Sequence, residues 1–213
     1  DKVLEYPNNK YSEDAMLMGA EMAYTAKDYE KALHIYKQLK DKAASMERRQ
    51  LAKTGMLRSA HMLGNEEEII FTATDLLADT KLALELSNEA HYYRAKAYLD
   101  AGKTDGAMED LKILAKDTRN VYGAEAKYKV AQIYFDGGQT DKAEQEVLNY
   151  IEVSTPHTYW LARSFVLLAD VYMKLGRNLD AKQYLLSLKQ NYQADDDIAG
   201  MIESRLEKLK TEN

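Results

Sequence analysis

Ala97-Tyr98-Leu99-Asp100-Ala101-Gly102-Lys103-Thr104 has the outline of a phosphate-binding loop, in which glycine-rich backbone N–H groups and a lysine cradle nucleotide phosphates. That chemistry needs a preceding strand and inward-turned amides, whereas Ala97 to Ala101 continue a helical pattern with no glycine among them. The expectation is a helix cap with an exposed lysine. His34, His61, His91 and His157 include no pair four residues apart, the spacing that sets two imidazoles on one helical face for a metal. Glu66-Glu67-Glu68 and Asp195-Asp196-Asp197 lack the alternating oxygens, central glycine and closing glutamate of a calcium loop. Both clusters stand at predicted helix starts, where negative charge is favoured. No serine lies in a nucleophile elbow, and there is no cysteine to act as a nucleophile or thiolate ligand. The reading is of a chain with no catalytic, cofactor-binding or metal-binding residues: not an enzyme.

Composition points the same way. Lys and Arg number 29 against 35 Asp and Glu, a net charge of −6 over 213 residues, which disfavours a sequence-independent grip on nucleic acid. Hydrophobic residues make up 46% of the chain, enough for a packed core, and no apolar run approaches the roughly 20 residues of a membrane helix. Neither nucleic acid binding nor direct membrane insertion is expected. With two prolines and few β-branched runs, the composition favours helices.

The helices are punctuated at Lys27-Asp28, Gly64-Asn65, Gly102-Lys103, Gly138-Gln139 and Gly176-Arg177, breaks that are 37, 38, 36 and 38 residues apart. Seven residues before each break stand Ala20, Leu57, Ala95, Ala131 and Ala169, and five after it Ala32, Ile69, Ala107, Ala143 and Ala181. Small residues at both places let two antiparallel helices approach closely where they cross. Ala23, Ala60, Tyr98, Tyr134 and Tyr172 before the break and Leu39, Leu76, Leu114, Tyr150 and Leu188 after it, mostly larger groups, fill the space between helices. Asp28, Asn65, Thr104, Thr140 and Asn178 are the predicted N-caps, Asn65 with Glu68 as a capping box, and Thr155-Pro156 reads as a cap followed by a first-turn proline.

These residues resemble the tetratricopeptide repeat family: a small residue, an aromatic, a glycine-containing turn, then alanine, an apolar residue and leucine. Ala95, Tyr98, Gly102, Ala107, Leu111 and Leu114 carry the likeness best, with Ala131, Tyr134, Gly138, Ala143, Val147 and Tyr150 beside them, and Ala169, Tyr172, Gly176, Ala181, Leu185 and Leu188 close behind. Lys27 stands where glycine is usual, Leu57 and Ile69 stand where small residues are expected, and the period exceeds the family's ~34. The resemblance implies an all-α fold, an α-solenoid of about five helix hairpins in one superhelical domain, with repeats at about 13–49, 50–87, 88–123, 124–161 and 162–196 and a C-terminal capping helix at about 197–210. The longer period and Tyr6-Pro7-Asn8-Asn9-Lys10-Tyr11 look like repeats in bacterial periplasmic proteins of outer-membrane assembly and the Tol-Pal system, which implies a periplasmic or cell-envelope location.

In the family, the first helices of successive repeats line a concave groove that holds a protein or peptide partner. Carried over, the likeness places Leu17, Glu21 and Tyr24 on it, then Thr54, Arg58 and His61, then Tyr92, Lys96 and Leu99, then Tyr128, Gln132 and Phe135, then Val166, Asp170 and Met173. Rigid aromatics beside charged and hydrogen-bonding groups suit an extended segment or a helix; Tyr128 and Phe135 would serve equally well as packing between repeats. The clamp that holds acidic peptide tails in some members is interrupted by Leu17 and Glu21. Extending the period makes Asp1 to Tyr6 the tail of a helix, as in a fragment of a longer array or an array with an irregular N-terminal cap, and leaves 197–210 as an unpaired first helix with an apolar stripe of Ile198, Met201, Ile202, Leu206 and Leu209. A second reading is a self-associating assembly module of the cell envelope, a homo-oligomer joined through these terminal helices.

Overall fold

A computed structural model describes residues 11–211. The expected helix tail at Asp1 to Tyr6 lies outside the described residues. Within them the chain forms eleven helices and no strand: α1 (Ser12–Thr25), α2 (Tyr29–Lys42), α3 (Met46–Leu63), α4 (Glu66–Leu77), α5 (Leu84–Asp100), α6 (Thr104–Leu114), α7 (Val121–Asp136), α8 (Thr140–Ile151), α9 (Thr158–Lys174), α10 (Asn178–Asn191) and α11 (Ile198–Thr211). The fold is an all-α helical repeat. It divides into two compact units between Asp110 and Leu111, inside α6.

Every predicted break is a joint of one geometry. Lys27 has φ +63°, and Gly64, Gly102, Gly138 and Gly176 have φ between +63° and +73°, all left-handed. At each joint this residue donates its N–H to the carbonyl three residues back, and the next residue donates to the carbonyl five back from itself, at 2.7 to 3.1 Å. These paired bonds satisfy carbonyls that a helix end leaves open. Lys27 accepts the same backbone state without glycine's freedom, at a cost of about 1 kcal/mol. In the stretch resembling a phosphate loop, the Gly102 and Lys103 N–H groups are spent on Leu99 and Tyr98.

Capping is more varied than the sequence suggests. Asp28 and Asn65 accept from the N–H groups of Lys31 and Glu68 as expected. The reciprocal half of the capping box is replaced: the Asn65 N–H goes to Ala60, and the Glu68 carboxylate accepts from Lys37 at 2.7 Å. Thr104, Thr140 and Asn178 are first helical residues rather than N-caps, and Gln139 and Arg177 occupy the cap positions of α8 and α10 without a side-chain bond. Thr155 also differs from expectation. Its hydroxyl donates to the Thr118 carbonyl and accepts from the His157 N–H, and α9 begins only at Thr158. Ser45 and Asn120 are caps the sequence reading did not single out.

In the first unit α1, α3 and α5 touch in succession while α2 and α4 fill the spaces between them, so first helices form one layer and second helices the other. The small-residue positions lie inside: Ala20, Ala32 and Ala95 are buried, and so are Leu57 and Ile69, whose bulk is accommodated among Ala60, Ala73, Ala90 and Ala97. Gly55 marks a close approach in this unit, where an added Cβ would lie 2.3 Å from Tyr36 Cζ. In the second unit α7, α9 and α11 likewise touch in succession. α11 packs Ile198, Ile202, Leu206 and Leu209 into a core with Leu167, Leu168, Val171 and Leu185.

Candidate interaction surface

Helical periodicity sets positions ten, six and three residues before each joint on one face of a first helix, and within each unit contact between successive first helices brings those faces side by side. In the first unit Leu17, Glu21 and Tyr24 of α1 and Thr54 and Arg58 of α3 surround a hollow of about 410 Å³, together with Tyr36, Leu51 and Gly55. Its floor is the buried Tyr36 ring and Thr54; Glu21 and Arg58 are exposed at its rim. The Arg58 guanidinium is held by Glu89 of α5 in a two-pronged pair, Nε to Oε1 at 2.7 Å and Nη2 to Oε2 at 2.8 Å, the geometry in which arginine recognises a carboxylate most strongly.

His61 lies one turn further along α3 and stacks on Tyr93, ring centroids 4.1 Å apart. Burial, and then the positive charge of Lys96, push its imidazole below the ordinary 6.5. Tyr92 and Lys96 sit together on α5, the ammonium 5.6 Å from the ring centre. Leu99 is half-buried on the same helix. These four lie outside the hollow between α1 and α3.

In the second unit Tyr128, Gln132 and Phe135 of α7 face Val166 and Asp170 of α9 across a hollow of about 200 Å³, whose wall also includes Arg163, Met201 and Arg205. Tyr128 and Val166 are buried in its floor at 5% and 3% exposure. Asp170 accepts two bonds from Arg205 of α11, at 2.8 and 2.7 Å. Phe135 is half-buried beneath Lys174, whose Nζ is 5.0 Å from the ring centre. Met173 is half-buried against the core of this unit.

The sequence reading missed Arg163, whose guanidinium lies 5.1 Å from the Tyr128 ring centre and donates to Tyr159 at 2.9 Å. A tyrosine four residues before an arginine on a helix was the available signal. Met201 was read only as part of the apolar stripe of the last helix, and Arg205 was not singled out, because the count back from a joint does not reach α11. Two charge clusters were also unforeseen. Lys53, 5% exposed, lies between Asp75 at 2.9 Å and Asp79 at 2.7 Å. Asp110, 1% exposed, accepts from His91 Nδ1 at 2.7 Å and from Arg94 Nε and Nη2 at 2.9 and 2.8 Å. Among the described residues no group of three or more His, Asp or Glu side chains is placed to hold a metal ion, and no helix is long and apolar enough to cross a membrane.

Family models described as tetratricopeptide repeat match residues 89–117 and 162–190. These two segments are tetratricopeptide repeats. Its fold is shared with the crystal structure of MamA protein, at 16% identity over 87% of this chain and 98% of that one, TM-score 0.67. A Podosopora anserina putative kinesin light chain with nearly identical tetratricopeptide-like repeats is similar at 17% identity over 86% of this chain and 96% of its own, TM-score 0.59. A thermophilic tetratricopeptide repeat protein of Thermus thermophilus is similar at 18% identity, covering 91% and 98% of the two chains, TM-score 0.50. Comparison with curated protein sequences gives no match. Tetratricopeptide repeat folds generally mediate contact between proteins, and this chain shares that architecture.

Proposed function

We propose that this helical repeat protein is a non-catalytic scaffold that holds a peptide or protein segment against the layer of first helices. The observation that carries the reading is the convergence of repeat-equivalent positions on one hollow in each unit: Leu17, Glu21, Tyr24, Thr54 and Arg58 in the first, Tyr128, Gln132, Phe135, Val166 and Asp170 in the second. Each combines an aromatic floor with a charged rim. Rings bury area at little rotamer cost, and ionic groups at the rim select against the wrong partner more than they add affinity. The cell-envelope location implied by the longer period belongs with this proposal. The Tyr6 to Lys10 stretch on which it partly rests lies outside the described residues.

Site-specific photo-crosslinking in the native cell tests the assignment. A benzophenone side chain at Glu21 or Gln132 is expected to trap the same partner, while one at the exposed Gln38 of α2 or Lys182 of α10 traps none. Adducts only from α2 and α10 would move the binding face to the second helices.

A further inference from the structure

The hollow between α1 and α3 is lined by acceptors more than by donors. The Thr25 and Thr54 hydroxyls donate to the carbonyls of Glu21 and Gln50 in their own helices, each at 2.8 Å, so each has lone pairs but no proton left for a bound group. Glu21 is exposed at the rim, and among the described residues no hydrogen bond or ion pair engages its carboxylate. Arg58 is the one cation among the lining residues, and its two-pronged pair with Glu89 matches its charge. Together Glu21, Arg58 and Glu89 carry one negative charge in excess. Leu17 and the exposed Leu51 supply apolar walls. Tyr24 and Tyr36 supply aromatic ones, Tyr24 steadied edge-on by Tyr29 with ring centroids 5.2 Å apart.

We propose that this hollow takes a basic side chain, lysine or arginine, of the bound segment. The inference rests on the reading of the first helices as the binding face and adds the chemistry selected there. An aliphatic stem lies along Leu17 and Leu51, while the charged head, rich in N–H donors, meets the Glu21 carboxylate, the threonine oxygens and the tyrosine rings. An acidic side chain in the same place would be repelled by Glu21, would find no free proton on either threonine, and would compete with Glu89 for Arg58. A wholly apolar one would cover these acceptors without pairing them, which costs free energy. The net charge of −6 on the whole chain also favours the approach of a basic partner.

Selection of phage-displayed random peptides on the full 213-residue chain tests the proposal. The retained peptides are expected to share a lysine or arginine at one position, and a benzophenone placed next to it should cross-link to α1 or α3. By fluorescence anisotropy such a peptide should bind the Glu21→Gln variant roughly tenfold more weakly. Glutamine in place of the peptide's basic residue should weaken binding to the unaltered chain about as much, with little further loss when the two changes are combined. Selection on Glu21→Arg, with helical content unchanged, should instead retain peptides carrying aspartate or glutamate at that position. Peptides that cross-link to the first helices yet share no basic residue, or whose affinity ignores Glu21→Gln, overturn this inference and leave the scaffold reading standing. Cross-links to the second helices alone, or a library from which nothing is retained, overturn both.

Discussion

Asp110→Asn removes the charge at the centre of the most enclosed ionic cluster in the first unit. The carboxylate is 1% exposed, and it accepts bonds from both Arg94 and His91. The amide keeps one acceptor but turns an NH2 toward donors, leaving a half-buried guanidinium without its counter-charge. Breaking one side of a buried ion pair costs about 3–5 kcal/mol. Arg94 is 19% exposed and keeps a bond to Thr74 at 2.9 Å, which places the expected loss near the lower bound. About 3 kcal/mol is roughly two orders of magnitude in the folding equilibrium. The loss should depend on pH with a definite sign. Burial alone would raise the Asp110 carboxyl, but hydrogen bonds from Arg94 and His91 and the charges of both outweigh it and hold the group below 3.8. A depressed carboxylate stabilises the fold above its unfolded value, and that contribution is lost as pH falls through the folded one. Urea unfolding followed by circular dichroism should show a full difference between the two proteins at neutral pH and a shrinking one on acidification below about 4. A difference under about 1 kcal/mol at neutral pH, or one independent of pH, would refute the reasoning.

Three further outcomes are expected. Lys27→Gly should stabilise the chain by about 0.5–1 kcal/mol, because relief of the left-handed strain exceeds the added freedom of the unfolded chain, and the melting temperature reads it. Gly55→Ala should destabilise by about 1–3 kcal/mol, since the new methyl meets the Tyr36 ring, and Tyr36→Leu in the same chain should recover part of the loss in a double-mutant cycle. His61 should titrate below 6.5 by nuclear magnetic resonance and move upward in Lys96→Ala; being depressed, it adds stability above its unfolded value that disappears as pH falls through the folded one.

Much of this fold is written locally. Each joint needs one left-handed residue and a polar successor, and both are visible in the chain, as are the alanines that let helices cross. Position within the repeat also placed Glu21 and Arg58 on the wall of one hollow, and Gln132 and Asp170 on that of another, because a fixed period turns sequence distance into a shared face. Legibility ended where tertiary register chose among similar partners. Glu68 has the spacing of a capping-box residue, yet Lys37 from another helix offers a full positive charge and takes the carboxylate. Lys53 and Asp110 look like ordinary surface charges until helix packing removes them from water. Ser45 and Asn120 cap helices at corners between hairpins, where no glycine marks the turn.

The uniformity of the five joints has a consequence for how such a chain can change. An exchange between two copies of the gene, made at any joint, reconnects a helix end to a helix start through the same two backbone bonds and the same left-handed residue. No new linker has to be invented, so hairpins can be duplicated, deleted or traded in whole-module steps, and selection is left with only the side chains along the newly created seams to refine.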